Sequence, residues 1–177
     1  MLLPAQLVKS RAYWEPTMKT DEGTVSGALP KPTDETGKEA DWPPVAILTP
    51  TLNEERYIGA CLEAILGSFY PMSRMDVVVV DGQSEDATRE IVAAVRQRSP
   101  IVRIVENPRR SRAAAMNIGL QATQAPIILR IDARNLVPPD YVRRCVETLL
   151  CTGADNVGGV LKPIGLTVKQ EAIGLAM

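Results

Sequence analysis

From Val45 onward the sequence predicts an α/β fold: a mainly parallel, doubly wound sheet with helices on both faces. Three observations carry that prediction. Strand-like runs alternate with helical ones over short connections, the pattern of a right-handed parallel sheet. The run MDVVVV is apolar on both of its alternating faces, as a strand covered on both sides must be. Polar clusters (PTLNEE, VDGQSED and DARN) follow strands directly, where open α/β sheets bind ligands.

Taken in order, VAILT is the first strand, and Asn53 or Glu54 is expected to start a helix. In that helix Ile58, Cys61, Leu62, Ile65 and Leu66 recur at i, i+3, i+4, i+7 and i+8, one face of a 3.6-residue period. Pro71 marks the following turn and MDVVVV the second strand. Ser84 or Asp86 is the expected cap of a helix carrying Ile91, Val92 and Val95, which ends near Pro100. IVRIVE is the third strand, Ser111 opens an alanine-rich helix through Ala122, and Pro126 precedes the fourth strand, IILRI. Pro138 and Pro139 are placed in the first turn of a helix bearing Tyr141, Val142, Cys145, Val146, Leu149 and Leu150, closed by Gly153. NVGGVLKP reads as a fifth strand and TVKQEAIGLAM as the start of a helix. If the strand order is 3-2-1-4, the three polar clusters converge on one crevice.

Residues 1–44 differ in character. Pro, Gly, Thr, Lys and Glu dominate, with only isolated apolar residues, so this stretch is expected to be a mobile or loosely packed extension that Trp14 and Trp42 can anchor. Residues 45–177 form the folded unit.

The 177 residues suit one domain, and 45% apolar, 23% charged and a net charge of −1 are ordinary for a globular protein with no nucleic-acid bias. The local basic cluster Arg109, Arg110 and Arg112 fits an anion site or solvated turn in preference to a DNA-binding face. Cys61, Cys145 and Cys151 are odd in number, with two at helix-core spacing, which reads as reduced buried thiols. Histidine is absent, which excludes Ser-His-Asp triads and His-ligated zinc; catalysis is left to carboxylates, arginines, backbone amides or a hard metal ion. No apolar run reaches the ~20 residues of a membrane span, and Pro4 and Gln6 interrupt MLLPAQLVKSR as a signal peptide.

Within the polar clusters, a plain strand-to-helix turn accounts for Gly82, Ser84 and Asp86 but not for Asp81, a carboxylate at a buried strand end that needs a partner. A nucleobase or ribose donor would serve. Dinucleotide binding is disfavoured, because PTLNEERYIGA has no GxGxxG and sets Glu54 and Glu55 where a pyrophosphate would lie. No GxxxxGK[ST] is present either. IILRIDARN ends its strand on Asp132, which delivers one anionic side chain to the sheet edge.

The segments VAILTPTLNEERYIGACLEAIL, VVVVDGQSEDATREIV, NPRRSRAAAMNIGL and RIDARNLVPPDYV together resemble the N-terminal half of inverting glycosyltransferases of family 2, which have the GT-A (Rossmann-like) fold. The branch most similar is the one that builds bacterial exopolysaccharides such as succinoglycan. The resemblance covers roughly Pro44 to Val160.

It implies a nucleotide-diphospho-sugar donor, typically UDP-linked, and a polysaccharide or lipid-linked acceptor, in a bacterial cytoplasm or at the inner face of the plasma membrane. Carried over by position, Pro50, Thr51 and Glu54 would line the nucleoside pocket, and Asp81 would accept from uracil. Arg109 to Asn117 would lie beside base and diphosphate, with Arg110 or Arg112 on phosphate oxygens. Asp132 takes the first position of the family's DXD motif, ligating Mg²⁺ or Mn²⁺, with Arg134 at the third position where many relatives have a second acid. The catalytic base of such enzymes follows the fifth strand and is expected beyond Met177; Glu171 is not assigned that role. The chain is therefore expected to be the donor-binding part of an incomplete domain, with membrane association through the part that follows. Two other readings stand beside this one, a sugar nucleotidyltransferase and a non-catalytic nucleotide-binding module.

Overall fold

The computed structural model describes residues 6–9 and 42–159. A sheet of six strands runs through it: β1 (Gln6–Lys9), β2 (Val45–Thr51), β3 (Met75–Asp81), β4 (Val102–Glu106), β5 (Ile127–Arg130) and β6 (Asn156–Gly158). Helices α1 (Ile58–Leu66), α2 (Thr88–Arg98), α3 (Arg112–Gln121) and α4 (Tyr141–Thr152) alternate with the strands. The order across the sheet is β4-β3-β2-β5-β1-β6. Counted from VAILT as the first strand, its core is the expected 3-2-1-4, with β2 parallel to both β3 and β5, and β3 parallel to β4.

Burial on both faces follows from the sequence pattern. β2 alternates, so Val45 and Ile47 enter one core with α1, α2 and α4, while Ala46 and Leu48 enter a second core with α3. In the first core Ile58, Cys61, Leu62 and Ile65 of α1 are fully buried, and α4 contributes Val142, Cys145, Val146 and Leu149. Each such aliphatic side chain stabilises the fold by roughly 1.5–3 kcal/mol. The second core closes tightly: a Cβ on Gly119 of α3 would stand 3.0 Å from Leu48 Cδ1 and 3.2 Å from Val80 Cγ2.

Three expected helix starts shift towards the C-terminus. Residues 55–57 form a turn and α1 begins at Ile58, because the Glu54 and Glu55 amides donate to side chains of the neighbouring loop rather than entering a helix. The α2 cap position is Ala87, with no side-chain cap; Asp86 instead accepts from the Thr88 amide just inside the helix. Pro138 and Pro139 precede α4, the Pro138 carbonyl accepting from Tyr141 N–H at 3.0 Å in a turn before the helix. Two expected caps are present: Ser111 Oγ accepts from Ala114 N–H at 3.2 Å, and Gly153 ends α4 in the left-handed region at φ 66°.

The first 44 residues contribute two features. Residues 6–9 form β1, inserted antiparallel between β5 and β6, a strand with no signal of its own in four residues. Trp42 packs edge-on against Tyr70, ring centroids 4.7 Å apart, and Tyr70 OH donates to the Pro43 carbonyl. Trp14 and the helix expected over TVKQEAIGLAM lie outside the described residues.

Candidate functional site

Because β2, β3, β4 and β5 are parallel, their carboxyl ends open on one edge, and the order of connection reverses between β2 and β5. That switch point is where open α/β sheets bind ligands. Backbone bonds tie the strand ends together: Gly82 N–H donates to the Thr51 carbonyl at 2.8 Å and Asn107 N–H to the Asp81 carbonyl at 2.7 Å. Each of the first three loops holds one residue at positive φ: Asn53 at 54°, Gln83 at 60° and Arg110 at 52°. Such conformations cost roughly 1–3 kcal/mol each for ordinary residues and persist only where surroundings over-determine them.

The surroundings here are cross-loop hydrogen bonds. Ser84 Oγ donates to Asp81 Oδ1 at 2.5 Å and accepts from Asn53 N–H at 2.9 Å, while Asn53 Oδ1 accepts from Glu85 N–H. Glu55 and Asp86 reciprocate: Glu55 N–H donates to Asp86 Oδ2, and Glu55 Oε2 accepts from Ala87 N–H. Glu54 N–H donates to Thr88 Oγ1, whose hydroxyl donates to Asp86 at 2.6 Å. Desolvation raises the Asp86 carboxyl, but the bonds from Thr88 and Glu55 together outweigh it and hold the group below its ordinary range.

Asp81 is completely buried at the end of β3, with Ser84 Oγ and N–H on its two oxygens and Arg89 Nε at 3.9 Å. Asp132 is 6% exposed, just past β5, where Ile131 N–H still pairs with the Leu48 carbonyl. Arg130 meets it in a fork, Nε to Oδ1 at 2.8 Å and the terminal nitrogen to Oδ2 at 3.0 Å. Arg134 reaches across the switch point to Glu54, Nε standing 2.9 and 2.8 Å from the two carboxylate oxygens, and lies over the Tyr57 ring. Cys61 lies beneath, its thiol donating to the Asp132 carbonyl. Burial, and next the Asp132 charge, push that thiol up to about 12. Three buried polar atoms have no partner among the described residues: Thr49 Oγ1, Asn107 Oδ1 and Asn135 Nδ2.

The structure thus brings Pro50, Thr51, Glu54, Asp81 and Asp132 to one edge. Thr51 is buried, its hydroxyl 3.5 Å from the Val80 carbonyl, and Pro50 is half-buried. Arg110 joins them through Glu85 at 3.0 Å. Arg112 is exposed at the first position of α3, and Asn117 is exposed further along that helix, roughly 8 Å away along its axis. Arg109 is also exposed. Sequence reasoning missed Arg130 as a partner of Asp132, although two residues apart along an extended chain share a face.

A cation can use Asp132, a hard oxygen donor, and the described residues bring no group of three His, Cys, Asp or Glu together. That donor set fits Mg²⁺ or Mn²⁺ held through one carboxylate with phosphate and water completing the shell, not a cage made of protein alone.

The sheet order, with helices alternating between the strands, is that of the GT-A class of glycosyltransferase fold, to which the similar solved structures belong. Among solved structures, the mannosyltransferase PcManGT of Pyrobaculum calidifontis, in complex with GDP-Man and Mn²⁺, is similar at TM-score 0.59 and 33% identity, over 68% of this chain and 36% of that one. Staphylococcus aureus TarS 1-349 with UDP-GlcNAc shares the fold at TM-score 0.57 and 22% identity, over 63% of this chain and 32% of that one. The chain belongs to glycosyl transferase family 2, whose family model matches residues 46–173. The succinoglycan biosynthesis protein ExoA of Rhizobium meliloti is 37% identical over 132 residues, 73% of this chain and 40% of that protein. The glycosyltransferase AglE of Haloferax volcanii is 32% identical over 118 residues, 66% of this chain and 39% of that protein. The chain therefore spans about two fifths of the length of these curated relatives.

Proposed function

We propose that this chain is the donor-binding part of an inverting glycosyltransferase that takes a sugar from a nucleotide-diphospho-sugar, UDP-linked in the first instance, to a polysaccharide or lipid-linked acceptor. The observation that carries the reading is the placement of Asp81 and Asp132, both buried, on opposite sides of β2 at the switch point. Asp81 is the acceptor for an imide N–H of the base; a carboxylate offers about four lone-pair sites, of which the Ser84 hydroxyl and amide take two. Thr51 and Pro50 form the wall beside it. Arg110, which pairs with Glu85, and the exposed Arg112 are assigned to phosphate oxygens. The negative charge of PTLNEE is no obstacle to a diphosphate, because Glu54 is paired with Arg134 and Glu55 with the Ala87 amide. Asp132 would hold Mg²⁺ or Mn²⁺, which when bound supplies positive charge against the diphosphate leaving group.

Among the described residues no helix is long and apolar enough to cross a membrane. We assign the reaction to the cytoplasmic side.

Calorimetric titration with UDP and Mn²⁺ tests the reading, with GDP as the competing base. Binding is expected below about 1 mM, the weak end of specific affinities, and Asp81→Ala and Asp132→Ala should each weaken it at least roughly tenfold. No binding of either nucleotide at millimolar concentration, or binding indifferent to both substitutions, would sink it.

A further inference from the structure

The acids at the switch point are already engaged on both oxygens. Ser84 holds Asp81, Arg134 holds Glu54, and Arg130 holds Asp132. The Arg130–Asp132 pair is also the most enclosed of these arginine pairs, the two side chains only 12% and 9% exposed, against 54% for Arg134. A guanidinium therefore stands against the carboxylate oxygens that a cation would take.

We propose that Arg130 is a positioning residue that keeps Asp132 closed to free divalent cations, so that cation and nucleoside diphosphate bind only together. The inference rests on the donor-binding reading above. Its physical basis is an exchange of partners. A hard cation must contact carboxylate oxygen directly, which the Arg130 fork opposes. Arginine cannot give up its charge, so releasing Asp132 without a replacement anion would leave a nearly buried guanidinium unpaired. A diphosphate supplies that anion, and its oxygens suit the same planar fork. With cation and diphosphate both present, Asp132 turns to the cation and Arg130 to a phosphate, and no charge is left unpaired. With cation alone, one is. Arg134 on Glu54 occupies a second carboxylate in the same way, and the described residues bring no three potential metal ligands together to compensate.

The experiment is Mn²⁺ binding to the 177-residue chain, read from the electron paramagnetic resonance signal of free Mn²⁺, with and without UDP or GDP. For the wild type, nucleotide should tighten Mn²⁺ binding by roughly tenfold or more, the scale of a binding coupling. Arg130→Gln, which removes the charge, should bind Mn²⁺ without nucleotide roughly tenfold tighter than wild type and lose most of the coupling. Asp132→Asn in that background should abolish the gain. A purely structural ion pair predicts the opposite sign, weaker binding of everything in Arg130→Gln. If Arg130→Gln fails to fold, Arg130→Lys is read instead: a point charge cannot hold both oxygens, so a smaller rise is expected. Equal wild-type Mn²⁺ affinity with and without bound nucleotide overturns the proposal, as does no gain in nucleotide-free affinity in either variant. Failure of UDP and GDP to bind any form refutes the donor-binding reading instead, and the nucleotide-free comparison of wild type with Arg130→Gln still decides the role of Arg130.

Discussion

Asp132 has one meaning in the sequence and a second state in the fold. As a carboxylate ending an apolar strand it stands out in the sequence, but its partner Arg130 becomes visible only once the extended chain puts both on one face. Breaking a buried pair by removing one member typically costs about 3–5 kcal/mol, so Asp132→Ala is a demanding variant whose fold must be checked alongside its binding. The cysteines behave as their helical spacing implies. Cys61 and Cys145 are buried in the core while Cys151 is exposed. Burial, with Asp132 behind it, raises the Cys61 thiol to about 12, and burial raises Cys145 as well. At pH 8 the native protein should therefore present one thiol to an aromatic disulfide reagent, and all three only after denaturation. Rapid reaction of Cys61 in the native state would contradict the packing of α1 on the sheet.

At the scale of elements, α3 is held by contact more than by amphipathicity. Its buried positions are the small residues Ala115 and Gly119, which let the helix settle on Leu48 and Val80 of the sheet. Gly119→Ala would force a methyl to 3.0 Å from Leu48, so it should destabilise by about 1–3 kcal/mol despite the better helix propensity of alanine. A shift in urea midpoint measures it, and a stabilised variant would show that α3 has room to move. Ser111→Ala, which removes the cap on the same helix, should cost about 1 kcal/mol. Two of the three helix starts that moved, those of α1 and α2, moved because two loops bond to each other. Asn53, Glu54 and Glu55 donate to Ser84, Thr88 and Asp86, residues 31 to 34 positions away. Local capping rules see only a few residues, so they assign those amides to a helix.

At the scale of the whole molecule, Arg103 ties two strands of the sheet to the end of α3. Arg103 of β4 grips both oxygens of Asp76 on β3 at 2.8 Å and also donates to the Ala122 carbonyl at the end of α3. Burial raises the Asp76 carboxyl, but bonds from Arg103 and Thr123 outweigh it and the net value is below normal. A carboxyl depressed in the folded state stabilises above its unfolded pKa, near 4, and that contribution is lost as pH falls through the folded value. Asp76→Asn should therefore cost on the order of 1 kcal/mol at pH 7, discounted for a side chain 31% exposed, and its deficit should shrink at pH 3. Urea midpoints of both proteins at the two pH values decide it; a deficit unchanged at pH 3 would remove the electrostatic explanation.

The order 3-2-1-4, which brings PTLNEE, VDGQSED and DARN to one edge, was a condition that the sheet meets, whereas the sequence by itself determined the strands, the helix faces and their parallel alternation. Those features follow from hydrophobic period and from short connections, both local properties of the chain. Only the tertiary structure decided that β1 joins the sheet between β5 and β6, that the first two loops are bonded to each other, and that arginines occupy Asp132 and Glu54. β1 has four residues and no turn signal, and its stability comes from two neighbouring strands distant in sequence. The loop bonds and the Glu54 pair depend on which side chains the completed sheet brings together, and no periodicity encodes that meeting. Arg130 and Asp132 are near neighbours in sequence, but burial at the strand end is what gives their pairing its weight.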